Sequence, residues 1–341
     1  MQVVLFGHGY MGKLIYRFLE KNPLVKKIYI VDPNPKCPIP NNAIHLEQID
    51  DLDKSDKIDA AFIATNSVTH ASVLEQTIHH GIKNIFCEKP MCLEKKEYED
   101  LFKIMPDDTK VVVDYILRSS KALHAVQNKM AELKKDGWIL KSCNINYGKD
   151  KTKDPRRFRD VGVYEELYHV WDLCFNGPLF GKLKKITTQR NIFVPDEEIK
   201  NRCIEQRFNY MFETEKNEHI PVHLHSSFQM KQKIRSFCFF FNKGTEKCVV
   251  ALNFDLNNND QCLTVDSNSK THEENFPANT KLENQINDTL IYFKTGEKAP
   301  YFHDAYDSYQ FHCLLENMGQ LHFQDNTGII KRITNFDQNI R

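Results

Sequence analysis

Near the start of the chain, the residues VVLFGHGYMGKLI from Val3 to Ile15 set an apolar run against three glycines and then a second apolar pattern at helical spacing. No other stretch constrains the fold as strongly, because it reads as a strand, a tight turn and a helix in immediate succession. Gly7 frees the backbone for the turn, Gly9 lets a pyrophosphate approach the main chain at the positive end of the helix, and Gly12 lets helix and strand pack closely. Tyr10 and Met11 open the helix. The pattern predicts a dinucleotide-binding unit, the alternative being a glycine-rich connection that holds no ligand.

The next strand supports the first reading. In KKIYIVDPNP, Ile28, Ile30 and Val31 are candidate core residues, and the run ends in Asp32, twenty residues after Gly12. A carboxylate there accepts hydrogen bonds from a ribose 2′-hydroxyl and repels a 2′-phosphate, so NAD is expected over NADP. Lys36 is the nearest basic residue on the following loop. Asp32 also suits the turn DPNP, which leaves a purely structural role open.

With 341 residues the chain is long enough for two domains, and 41% hydrophobic with 27% charged residues is the balance of a globular protein. The 46 basic and 46 acidic side chains cancel, so no global charge recruits nucleic acid or an anionic membrane. Strand-like residues begin at Gln2 and no apolar run approaches a membrane span, which predicts a cytoplasmic protein. Ten scattered cysteines form no C-x-x-C pair and no Cys/His cluster at zinc spacing; reduced, mostly buried thiols and no metal are expected.

Residues 1–118 alternate apolar runs (VVLFG, KIYIVD, AAFIAT, NIFCEKP, KVVVDYI) with helical patterns such as THASVLEQTIHHG, which closes on Gly81. This predicts an α/β fold, with an N-terminal doubly wound Rossmann domain over 1–118 that binds NAD. After a helical stretch from Lys121 to Lys135, longer segments follow: LKSCNINYG, KKITTQRNIFV, QRFNYMFET, IPVHLHSSFQM, RSFCFFFNKG and KCVVALNFDL. They predict a C-terminal α+β domain over 119–341 with a large, mainly antiparallel sheet, for substrate binding and oligomerisation. The last helical patterns, LENQINDTLIYFKTG and DAYDSYQFHCLLENMGQ, are candidates to pack back on the first domain.

Taken together, the glycine fingerprint, ATNSVTHASVL before a helix, the tripeptide Glu88-Lys89-Pro90 after an apolar run, and GVYEELYHVWDLCFNGP in the second half are specific. Over nearly its whole length the chain resembles the glucose–fructose oxidoreductase and inositol dehydrogenase family. The resemblance implies that Lys89 lies near nicotinamide and substrate with Glu88 in support, and that Thr65, Asn66 and His70 line the cofactor. The Lys-Pro bond is often cis in such enzymes, and the sequence does not show which isomer this chain adopts. The family's helix carries an Asp, a His four residues on and often a further Asp; here these are Glu165, His169 and Asp172, at i, i+4 and i+7 on one helical face. His169 then fits a general base taking a hydroxyl proton as hydride leaves the same carbon. Glu165 stands where Asp is usual and Leu167 where glycine is common, so the placement of the acid and the width of the pocket depart from the pattern.

The resemblance therefore implies an NAD-dependent dehydrogenase acting on CH–OH groups of a cyclic polyol, sugar or sugar derivative, working as a homodimer or homotetramer. A second reading is a non-catalytic dinucleotide- or sugar-binding sensor, since the family includes a galactose-regulon repressor, and a third is an oxidoreductase on another carbonyl or imine. His223 and His225 alternate on one strand and share a face, without a third ligand to make a metal site. The run FCFFF reads as sheet core or a subunit interface. In GKDKTKDPRRFRDVG, the residues Lys149, Lys151, Lys153, Arg156, Arg157 and Arg159 gather; Arg157 and Arg159 are candidates to hold an anionic group of the substrate, against a solvated loop balanced by its own aspartates.

Overall fold

Five buried apolar runs form the central strands of a parallel sheet in a computed structural model of the chain, which describes residues 1–34, 38–53, 56–152, 164–177, 179–181, 183–195, 203–255, 261–267, 270–277, 280–317 and 337–339. The chain divides into two units, Met1–Ser119 with Lys281–Cys313, and Ser120–Thr280 with Leu314–Arg341.

The first unit runs β1 (Gln2–Phe6), α1 (Tyr10–Lys21), β2 (Lys27–Val31), β3 (Ile44–Leu46), β4 (Ala60–Ile63), α2 (His70–His79), β5 (Asn84–Glu88), α3 (Lys95–Ile104) and β6 (Lys110–Asp114). The strands pair in parallel in the order β3-β2-β1-β4-β5-β6, a doubly wound sheet. β1, β2, β4, β5 and β6 are buried over nearly their whole length, as strands of a sheet covered on both faces are; the short β3 is partly exposed. The order reverses between β1 and β4, and the crevice beyond the carboxyl ends of those two strands is where such sheets hold ligands. The later helix α6 (Thr280–Thr295) belongs to this unit from Lys281 on. Its Leu282, Ile286, Leu290 and Phe293 join Phe62, Phe86 and Val112 in one core.

The second unit holds α4 (Lys121–Lys135), β7 (Ile139–Asp150), α5 (Tyr164–Phe175), β8 (Leu183–Pro195), β9 (Cys203–Thr214), β10 (His219–Ser227), β11 (Gln229–Lys243), β12 (Glu246–Asn253), β13 (Gln261–Ser267), β14 (Lys270–Phe276) and β15 (Asp337–Asn339). A further helix, α7 (Ala305–Asn317), follows α6. The nine strands lie in the order β14-β13-β12-β11-β7-β10-β9-β8-β15, antiparallel except for the pairing of β7 with β10. One face carries the core: Trp171 and Phe175 of α5 meet Phe208 and Tyr210 edge-on at 6.1 and 5.5 Å, and Phe180 meets Phe212 at 5.1 Å. The strand period of two splits FCFFF. Phe237, Phe239 and Phe241 are buried in the core, whereas Cys238 and Phe240 face the other way and are half-buried. Most of the run is therefore sheet core and only two of its residues belong to the outer face. His223 and His225 also turn outward, held by Asn209 Oδ1 at 3.0 Å and Glu205 Oε1 at 3.5 Å. No helix among the described residues is long and apolar enough to cross a membrane.

The glycines of the first turn divide between packing and free space. Gly7 has φ +84°, and a Cβ there would lie 2.8 Å from Ala64 O. A Cβ at Gly12 would lie 2.0 Å from Gly7 O, so α1 approaches the turn as a bare backbone; a Cβ at Gly9 would meet nothing within 4 Å. Gly12→Ala is accordingly expected to destabilise the first unit by about 1–3 kcal/mol, the usual cost of overpacking. Gly9→Ala, at an N-cap with φ −71°, should cost roughly 0.5–1 kcal/mol. Urea unfolding of the two variants checks this, with equal losses contradicting it.

Candidate active site

The crevice of the parallel sheet is built from four strand ends. Beyond β1, Gly9 is the N-cap of α1 and brings no side chain to it, and the positive end of the helix lies at that turn. A Cβ at Gly9 would meet no described atom within 4 Å, a bare backbone at a helix start that suits a pyrophosphate, and Tyr10 and Met11 supply that turn. Gly7 is tied back to β2 by its N–H on Val31 O at 2.9 Å.

Beyond β2, Asp32 is held from both sides. Its Oδ2 accepts the His8 N–H at 2.8 Å and its Oδ1 the Asn34 N–H at 3.0 Å. Each oxygen keeps a lone pair for a further donor, so the carboxylate is oriented without being used up. His8 lies within the glycine loop itself, where the fingerprint leaves the residue type free. Burial pushes its imidazole below the usual range, assisted by Lys13 and opposed by Asp32.

Beyond β4, Thr65 accepts a hydrogen bond from Thr69 Oγ1 at 2.9 Å, and Asn66 is exposed at the start of a short 3₁₀ turn. His70, at the start of α2, lies 1% exposed with Nδ1 2.8 Å from Pro90 O and Nε2 3.2 Å from Thr65 O. Both ring nitrogens thus lie against main-chain carbonyls, of which a neutral imidazole donates to one, and His70 stands between the loop after β4 and the turn after β5. Burial holds its imidazole below the usual range.

Beyond β5 come Glu88, buried, and Lys89, half-buried, with a cis peptide between Lys89 and Pro90. At the end of β6, Asp114 is the register partner of Glu88. It is 2% exposed, and burial pushes its carboxyl well above the usual range, with Glu88 adding to the effect. Pattern reading did not single out Asp114, since KVVVD reads only as the end of a buried strand.

In the second unit, α5 is apolar almost all round: Leu167, Val170, Trp171, Leu173 and Cys174 are buried. His169 and Asp172 lie three residues apart on that helix; His169 is half-buried and Asp172 is 1% exposed, while the side chain of Glu165 lies outside the described residues. The helix is fastened to the sheet by Glu166, another residue not singled out from sequence. Its Oε1 lies 2.5 Å from Lys149 Nζ and 3.7 Å from Lys151 Nζ, and its Oε2 is 2.8 Å from Arg235 Nη2. Arg235 also reaches Asp255 Oδ2 at 3.4 Å and stacks over Tyr147 at 4.9 Å. Burial lowers the Lys149 ammonium from its usual range while Glu166 opposes the fall. Lys149 and Lys151 therefore belong to a structural ion network on α5. Arg157 and Arg159, with Lys153 and Arg156, lie outside the described residues.

Comparison with known proteins agrees with this geometry. Residues 1–115 match the model described as "Oxidoreductase family, NAD-binding Rossmann fold". An uncharacterised oxidoreductase of Streptococcus pneumoniae is 30% identical over 97 residues, which is 28% of this chain and 26% of that protein. The inositol 2-dehydrogenase of Rhizobium meliloti is 28% identical over 127 residues, 36% of this chain and 38% of that protein. The matched stretch thus spans well under half the length of either curated relative. The crystal structure of a 3-ketoreductase from Actinomadura kijaniata, in complex with NADP and TDP-benzene, superimposes with a TM-score of 0.69 at 14% identity, covering 93% of this chain and 96% of that one. Its likeness extends the shared fold across both units. Over residues 1–115, the chain is therefore similar to the oxidoreductase family with the NAD-binding Rossmann fold.

Proposed function

We propose that the chain is an NAD-dependent dehydrogenase that moves a hydride between nicotinamide and a secondary hydroxyl or ketone carbon of a cyclic polyol, sugar or sugar derivative. The observation that carries this reading is the crest of the parallel sheet, where a bare backbone at Gly9, an oriented Asp32 and a lysine leaving β5 stand beyond the ends of β1, β2 and β5. The family of residues 1–115 and the inositol 2-dehydrogenase among the relatives support it.

In this reading Gly7, Gly9, Tyr10, Met11 and Gly12 hold the pyrophosphate, Asp32 takes the ribose hydroxyls, and Thr65, Asn66 and Glu88 line the remainder, with His70 fixing their loops. The nicotinamide, when bound, supplies the hydride acceptor. Lys89 meets the substrate oxygen, where its ammonium stabilises the negative charge that develops as the proton leaves. His169 takes that proton from the hydroxyl oxygen onto a ring nitrogen, and Glu165 and Asp172 orient the imidazole and the substrate's neighbouring hydroxyls. Arg157 and Arg159 would receive an anionic substituent where the substrate carries one. The protein works as a homodimer or homotetramer in the cytoplasm, and light scattering that finds only monomer at micromolar concentration would contradict the assembly.

Two outcomes are expected. Calorimetric titration should give tighter binding of NAD than of NADP, because a 2′-phosphate would face the Asp32 carboxylate across the ribose; tighter NADP binding removes that assignment. With NAD and a panel of inositols, sugars and sugar phosphates, native protein should reduce the nicotinamide. Lys89→Met and His169→Ala should each lower turnover by about 10²- to 10⁴-fold with NAD affinity nearly unchanged. Near-native turnover in either variant rejects the role given to that residue, and NAD binding without turnover on any substrate favours a sensor.

A further inference from the structure

The ends of β5 and β6 bring two carboxyl groups side by side. Glu88 and Asp114 are register partners in a parallel pairing, so their side chains leave the same face of the sheet from backbones about 4.8 Å apart. Glu88 is 8% exposed and Asp114 2%. Glu88 Oε1 and Asp114 Oδ1 are both buried without a hydrogen-bond partner among the described residues. Two ionised carboxylates so placed would repel each other in a setting that already disfavours charge.

The neighbouring titratable groups fix how much charge the pair can carry. On β5 these are Cys87, fully buried with its thiol pushed up by that burial, and Lys89, which directly follows Glu88. From α2 comes His70, whose imidazole burial lowers below its usual range. The segment bridged to β6 at Val113 contributes His303, its ring 4.7 Å from that of Tyr115. Lys89 is thus the permanent cation in this set, and one negative charge balances it.

We propose that Glu88 and Asp114 share one proton, so that the pair presents a single buried negative charge beside the Lys89 cation. The importance of that cation rests on Lys89 meeting the substrate oxygen, as proposed above; the shared proton does not. Burial acts in the same direction, raising the Asp114 carboxyl, with Glu88 next in effect and Lys89 opposing. A doubly ionised pair would bury a surplus charge, whereas a fully protonated pair would set no negative charge beside the half-buried ammonium.

The test needs no substrate. Infrared spectra of native protein carrying carboxyl-¹³C aspartate should show, at pH 7, a protonated carboxylic acid band that moves with the label and is missing in Asp114→Asn. A carboxyl raised in the folded state binds its proton more tightly there than in the unfolded chain. Native stability therefore falls as pH rises from the unfolded value to the folded one, and the isosteric Asn removes that fall. The melting temperature of Asp114→Asn minus that of native protein should be near zero at about pH 4 and grow by roughly 3 °C per pH unit above it. In protein with ¹³C-methylated lysines, with the Lys89 signal identified by Lys89→Arg, the double variant Glu88→Gln/Asp114→Asn should move the Lys89 titration to lower pH, whereas Asp114→Asn alone leaves it in place. Absence of the labelled acid band, a stability difference flat with pH, or a Lys89 titration indifferent to the double variant each overturns the proposal. Failure of the dehydrogenase reading would be seen separately, as absent nicotinamide reduction with the carboxyl proton intact.

Discussion

One bare backbone approach organises the first unit: α1 packs so close to the turn before it that a Cβ at Gly12 would stand 2.0 Å from Gly7 O. That approach sets the axis of α1, and the axis decides where the helix's positive end points. Because β1 lies beside both β2 and β4, the helix end opens onto the crevice where strand order reverses. Asp32 then comes into place through the His8 amide of the same turn, so one loop shapes the phosphate cradle and orients the carboxylate expected at the ribose.

The second unit solves a different problem, that of holding an imidazole on a helix whose sides are nearly all apolar. Trp171 and Phe175 press α5 onto the aromatic face of the sheet, and Glu166 adds a directional tie through Lys149 and Arg235. Apolar packing alone would leave the helix free to slide along the sheet at little cost. A buried ion network penalises such movement, since any displacement leaves charges unpaired in a low-dielectric setting. His169 is thereby carried on a rigid element, as the general-base role proposed for it requires.

The elements legible in sequence were those with an apolar period of their own. The buried strands of the parallel sheet, the glycine turn and the long strands up to β12 all announce themselves that way. β14, with the sequence KTHEENF, does not: it is an almost wholly exposed edge strand with no apolar face to signal it. β3 is three residues long and too short to carry a pattern. His70 was legible as the residue that opens a helix, but its surroundings were not, because only the tertiary structure sets both of its nitrogens against carbonyls.

By itself, the sequence determined the identity and spacing of the chemical groups: the three glycines, an acid twenty residues on, a lysine after a buried strand, and a histidine flanked by acids at helical intervals. Those are properties of short segments, in which backbone periodicity dictates neighbours. Tertiary structure alone decided which charges meet. Asp114 stands against Glu88, 26 residues earlier by their numbering, only because β5 and β6 pair in that register. Arg235 reaches Glu166 across 69 residues only because β11 runs where α5 docks. The energy of a charge depends on its burial and on the sign of what faces it, and both are set by strand order and register, which no local pattern encodes.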